Sequence, residues 1–131
     1  MLRREVLIRA AALLALAAGS KGTVIAGDLH AHRLQRWAPP NSRANTAPVL
    51  RLALDGSQPL PLRGTFDRVL VDAPCSGTGT LRRNPEIKWR LRPENITELA
   101  RLQQSLLRQS ATAVSPGGRL VYSTCSFEWE E

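Results

Sequence analysis

The chain has 131 residues, 43% of them hydrophobic, and a formal net charge of +7. That composition excludes a disordered chain and allows one domain with one core. All but two of the 18 basic residues, Lys21 and Lys88, are Arg, which suits planar contact with phosphate and stacking on bases, so the charge points most simply to a nucleic-acid partner.

In chain order, Arg3 and Arg4 precede an Ala/Leu-rich run from Ala10 to Ala18. The pattern could be read as a signal peptide. However, Glu5 and Arg9 interrupt its flanks, and the run is too short for a membrane span. A buried helix over Val6 to Ala18, closed by Gly19 and Gly22, is the preferred reading. Thr23 to Asp28 is a short apolar run ending on an acid, and so a buried strand. Ala31 to Trp37 reads as a short helix, and Ala38 to Asn45 as a loop by its Pro and Asn content.

Val49 to Leu54 is a second strand, ending at Asp55-Gly56. A Pro-rich connection leads to a third, Phe66 to Val71, which ends at Asp72. A Gly-rich polar stretch, Ala73 to Thr80, follows. From Pro93 to Val114, apolar residues at Ile96, Leu99, Leu102, Leu106 and Leu107 keep a helical period, and Pro116-Gly117-Gly118 is expected to stop that helix. Arg119 to Tyr122 begins a fourth strand and runs into Ser123-Thr124-Cys125-Ser126.

Strands alternating with helices imply parallel βαβ units, and ligands of such sheets bind beyond the carboxyl ends of the strands. Asp28, Asp55, Asp72, Cys75 and Cys125 all fall at or just past such ends, so they are expected to face one crevice. Asp28 could accept the ribose hydroxyls of a nucleoside cofactor, or cap a helix. Asp55 could accept from an adenine amino group, or build an Asp-Gly turn. In Asp72-Ala-Pro-Cys-Ser-Gly-Thr-Gly79, Pro74 fixes the backbone beside the carboxylate, and Gly77 and Gly79 allow close approach to a flat ligand. If the strands ending at Asp72 and before Cys125 are neighbours, the two thiols meet. Two cysteines are too few for a disulfide scaffold, and no Cys/His spacing suggests zinc. His30 and His32 read as loop residues, and no metal is expected. A reducing, cytoplasmic setting fits the two thiols.

DAPCSGTG followed downstream by YSTCS, with the FDRVLV lead-in and the intervening LRRNPEIKWR, resembles the Nop/Sun (RsmB-type) family of RNA 5-methylcytosine methyltransferases. The resemblance covers Thr23 to Glu131. It implies an α/β, Rossmann-like fold, S-adenosyl-L-methionine as cofactor, and RNA, expected to be ribosomal, as substrate of a monomeric, membrane-free enzyme. It further implies Cys125 as the thiolate that adds to cytosine carbon 6, and Cys75 as the thiol that assists release of the adduct. By the same resemblance Asp28, Asp55 and Asp72 bind the cofactor, through ribose, adenine and the region of the reacting base respectively. Arg82, Arg83 and Lys88 are expected to touch RNA. The target base must be unstacked to be reached.

The family's glycine-rich cofactor loop should lie just before the Ala-rich helix. There the chain reads Met1-Leu-Arg-Arg-Glu-Val-Leu-Ile-Arg9, without glycine. The chain is therefore expected to be a partial catalytic domain with weak cofactor affinity, lacking that loop, the first strand and the terminal strands. Two other functions stay open: a DNA cytosine methyltransferase, in which the Pro-Cys thiol itself attacks, and a non-catalytic RNA-binding remnant carried by the basic stretch Arg82 to Arg92.

Overall fold

A computed structural model describes residues 4–8, 22–35 and 48–131. Its centre is one sheet of five parallel strands. They are β1 (Arg4–Ile8), β2 (Thr23–Asp28), β3 (Val49–Ala53), β4 (Phe66–Asp72) and β5 (Val114–Ser123), in the spatial order β3-β2-β1-β4-β5. From β1 the chain steps outward through β2 to β3, then returns to place β4 on the other side of β1. The order therefore reverses between β1 and β4, which opens a crevice at the carboxyl ends of the strands. This is the expected Rossmann-like α/β arrangement.

Two expectations need correction at the amino-terminal side. The first strand is present: Arg4–Ile8 pairs with β2 through Leu7↔Ala26 and with β4 through Leu7↔Leu70. The helix expected from Val6 therefore cannot begin there, and Val6 to Ile8 belong to the strand. The reason is physical. A short apolar run such as Val6-Leu7-Ile8 carries no alternation, and periodicity alone cannot separate it from the start of a buried helix. The rest of that helix (residues 9–18) and the expected loop at 38–45 lie outside the described residues; of the positions where the cofactor loop was sought, Met1 to Arg9, the described ones are β1 itself.

The other strands start at the expected residues, except that β5 begins earlier, at Val114. The short helix α1 (Ala31–Gln35) follows β2 and buries Leu34. A 3-10 turn at Thr78–Thr80 and the helix α2 (Ile87–Arg90) lead into the long helix α3 (Pro93–Thr112). Pro93 opens α3 where its missing N–H costs nothing, and Asn95 Oδ1 accepts the Arg92 N–H at 3.1 Å. α3 lies against β4 and β5. Leu106 and Ala113 close over Phe66, Val69, Val71 and Ala73 to form the core. Among the described residues no helix is long and apolar enough to cross a membrane.

Pro116-Gly117-Gly118 does not end the helix. α3 stops at Thr112, and the three residues form an irregularity inside β5, between the pairs Phe66↔Val114 and Arg68↔Arg119. Gly117 has φ +78°, and a Cβ on Gly118 would sit 2.9 Å from the Ser115 carbonyl oxygen. Glycine suits this bulge, where one residue takes a positive φ and the next leaves no room for a Cβ.

Candidate active site

The three acids converge as expected. Asp28 at the end of β2, Asp55 just past β3 and Asp72 at the end of β4 line one cleft of about 220 Å³, with Leu29, Leu54, Pro74 and Leu106 among its apolar walls. Asp28 is buried, and its Oδ1 accepts the His30 N–H at 2.8 Å ahead of α1. Asp55 builds a turn: its Oδ1 accepts the Ser57 N–H at 2.9 Å and the Ser57 hydroxyl at 2.6 Å. Those bonds hold its carboxyl below the usual carboxylate range. The alternatives of turn-building and cleft-lining are thus compatible, since a carboxylate offers more lone pairs than one local bond uses.

The two cysteines meet. β4 and β5 are neighbours in parallel register, with Asp72↔Ser123 at their ends. The loops beyond them bring Cys75 Sγ and Cys125 Sγ to 2.8 Å, with both thiols free. The Cys125 N–H donates to Cys75 Sγ at 3.3 Å. Gly79 is what allows this approach: its N–H donates to the Cys125 carbonyl at 2.9 Å, and a Cβ there would lie 2.7 Å from that oxygen. The glycine expected to admit a flat ligand instead admits the opposing loop.

The pair shares a proton unevenly. Burial pushes the Cys75 thiol up, but the hydrogen bonds it accepts from the Cys125 thiol and backbone outweigh that, and its pKa is lowered. Donation to Cys75, then burial, the Cys75 charge and the Asp72 charge push Cys125 up to about 11. Of the two thiols, Cys75 is therefore the first to ionise, and Cys125 holds its proton more tightly.

A cleft lined by acids beside paired thiols, at the switch point of a parallel sheet, is the setting for comparison with known proteins. The sequence model described as 16S rRNA methyltransferase RsmB/F matches residues 9–131. The chain belongs to this family. It is 44% identical over 110 residues to the probable ribosomal RNA small subunit methyltransferase B of Synechocystis sp., a match covering 82% of this chain and 25% of that protein. With the ribosomal RNA small subunit methyltransferase B of Yersinia pseudotuberculosis it shares 42% identity over 118 residues, 88% of this chain and 27% of that one. The crystal structure of NSun6 from Pyrococcus horikoshii with SFG superposes with a TM-score of 0.76 at 29% identity, covering 95% of this chain and 33% of its own. The chain spans about a quarter of the length of the curated relatives it matches.

In this RsmB/F-family chain Arg33 lines the acid cleft, whereas Arg82, Arg83 and Lys88 do not. Arg82 and Arg83 are exposed and line a hollow of about 480 Å³ with Gly79 and Thr80. Lys88 is exposed on α2. A further hollow of about 270 Å³ is bounded by Cys75, Ser76, Glu86, Ile87 and Arg90, among others. Two participants escaped the sequence reading. Glu131 Oε1 accepts the Ser76 N–H at 2.8 Å and Gln103 Nε2 at 2.9 Å, and its Oε2 accepts the Ser126 hydroxyl at 2.6 Å. Gln103 is buried and also donates to the Pro74 carbonyl at 2.9 Å. A signal for Gln103 existed: it is a polar residue set between Leu99 and Leu106 on the apolar stripe of α3. Glu131 had no comparable signal among neighbouring acids.

Proposed function

We propose that this chain carries the catalytic face of an S-adenosylmethionine-dependent ribosomal RNA (cytosine-5) methyltransferase. In this proposal Cys125 adds to the base and Cys75 serves its release. The observation that carries it is the thiol pair at 2.8 Å beyond two adjacent parallel strands, beside a cleft lined by Asp28, Asp55 and Asp72. The names of the relatives support the RNA substrate, and SFG, an S-adenosylmethionine analogue, supports the cofactor.

The residues present suit that cofactor. Carboxylates accept hydroxyl and amino hydrogens and favour a cationic sulfonium, and the walls of the cleft are apolar. Asp28 would take the ribose hydroxyls, Asp55 the adenine amino group, and Asp72 the region nearest the thiols. When bound, the cofactor supplies an electrophilic methyl group to carbon 5 of cytosine.

Cytosine carbon 5 is a poor nucleophile until a thiolate adds to carbon 6. Cys125 gives its proton to the Cys75 thiolate as its sulfur bonds to carbon 6. The electron pair of the carbon 5–carbon 6 bond then moves toward carbon 5. Once carbon 5 carries the methyl group it loses its hydrogen to solvent. The carbon 5–carbon 6 bond re-forms, and the carbon–sulfur bond breaks with its electron pair returning to Cys125. Cys75 gives that sulfur its proton back as the bond breaks, which is how it serves release; without Cys75, Cys125 can still lose its proton to solvent and add. Arg82, Arg83 and Lys88 hold the RNA backbone beside the thiols, with the target base unstacked.

One observation favours a second reading. The lower pKa belongs to Cys75, so Cys75 could be the attacking thiolate, as in DNA cytosine methyltransferases. Denaturing gels of the chain with cytosine-containing RNA and cofactor separate the two. Under the first reading Cys125→Ala forms no adduct and Cys75→Ala accumulates one. The reverse pattern assigns the attack to Cys75.

A further inference from the structure

We propose that Glu131 is a positioning residue whose carboxylate clamps the Cys75 loop to the Cys125 loop and so sets the contact between the thiols. The inference rests on the reading of that pair as the reactive centre, but its test does not require methyl transfer.

The hydrogen bonds fall on residues that flank the cysteines. Ser76, which follows Cys75, donates its N–H to Glu131 Oε1 at 2.8 Å. Ser126, which follows Cys125, donates its hydroxyl to Oε2 at 2.6 Å. Gln103 donates at 2.9 Å both to Glu131 Oε1 and to the carbonyl of Pro74, which precedes Cys75. Both bonds run from the amide nitrogen to acceptors, so they fix its orientation. One carboxylate therefore joins α3, the loop beyond β4 and the loop beyond β5.

The ionised form is the one that fits, because all three partners donate and a carboxylate is an acceptor at both oxygens. Ser126 Oγ accepts the Glu128 N–H at 3.0 Å and lies 3.0 Å from Ser76 Oγ and 3.2 Å from Thr78 Oγ1, so its acceptor sites have other donors at hand and its proton goes to Glu131. Burial pushes the Glu131 carboxyl up, but the donors from Ser126, Ser76 and Gln103 prevail and its pKa is lowered. A simpler role would be to pin down the segment after Cys125, where the Tyr122 hydroxyl also donates to the Glu131 carbonyl at 3.2 Å. That role predicts an effect on stability alone. A clamp predicts an effect on the chemistry of the thiols as well.

The test is competitive alkylation of the chain with limiting iodoacetamide, with peptide mass spectrometry reading the Cys75 to Cys125 rate ratio. In the unaltered chain Cys75 should react faster. Glu131→Ala should lower that ratio about threefold or more, because parted thiols lose the unequal sharing of the proton. Glu131→Gln keeps one acceptor oxygen for Ser76 and Gln103 and should restore part of the ratio. Leu120→Ala loosens the packing of β5 without touching either serine, and should leave the ratio unchanged at a similar loss of melting temperature. Should Glu131→Ala fail to fold, Gln103→Ala should give a smaller change in the same direction. An unchanged ratio in folded Glu131→Ala, or in Gln103→Ala where Glu131→Ala does not fold, would overturn the inference, and so would an equal fall in Leu120→Ala. Failure of the methyltransferase reading would appear as missing RNA adducts and leave this ratio untouched.

Discussion

Replacing Cys75 with Ala should make Cys125 more reactive. Cys125 is held at about 11 against an ordinary value of 9.0, first because it donates its proton to Cys75, then because it is partly buried, and then because it faces the Cys75 charge. The first and last of these causes disappear with the Cys75 sulfur, whereas burial and the Asp72 charge remain. A fall of the full difference, about two pKa units, would raise the thiolate fraction near neutral pH about 100-fold, and the causes that remain make the fall smaller. Nucleophilicity drops with basicity, with a Brønsted coefficient of about 0.4–0.5, and takes back a factor of roughly 6–10. The net gain is about tenfold, trimmed by the burial that persists. Iodoacetamide labelling of Cys125, followed by peptide mass spectrometry in the unaltered chain and in Cys75→Ala, measures it directly. The sign also appears in a titration. Thiolate absorbance from Cys125 should rise at lower pH in the variant, since a raised pKa delays ionisation until higher pH. Labelling of Cys125 that stays constant or slows in Cys75→Ala would refute proton sharing between the thiols.

Arg82→Glu with Arg83→Glu should weaken RNA binding and flatten its dependence on salt, because fewer phosphates are neutralised and fewer counterions released; filter binding across a salt series tests this. Glu131 has a lowered pKa, so its contribution to stability is present above the ordinary Glu value and is lost as pH falls through the lower folded value. Glu131→Gln should remove that acid-dependent loss in urea melts taken at successive pH. Leu106→Ala, at a core position only 5% exposed, should cost about 2–5 kcal/mol in the same melts.

Much of the architecture was legible because buried parallel strands here end on distinctive residues. Asp28, Asp55 and Asp72 each close an apolar run, and a parallel sheet sends such ends to one side, so the common cleft followed from local pattern alone. The meeting of Cys75 and Cys125 was legible once their strands were taken as neighbours. Arg4–Ile8 was not legible, because its Val-Leu-Ile core is parted from an Ala/Leu-rich run by Arg9 alone and carries no alternation. Pro116-Gly117-Gly118 misled for a related reason: Pro and Gly mark a departure from regular geometry, but a bulge inside a strand and the end of a helix use the same residues. The Glu131 clamp depends on three donors, one from α3 and one from each of two loops. No spacing rule encodes such a meeting.

The central claim is that Cys125 adds covalently to cytosine. Its most direct test is RNA carrying 5-fluorocytosine, whose carbon 5 has no hydrogen to lose, so that an adduct, once methylated, cannot eliminate. The chain would be incubated with this RNA and S-adenosylmethionine, digested, and the cross-linked peptide identified by mass spectrometry. The expected result is one modified nucleotide attached to the sulfur of Cys125. Attachment at Cys75, or RNA that binds and releases with no adduct at either thiol, would contradict it.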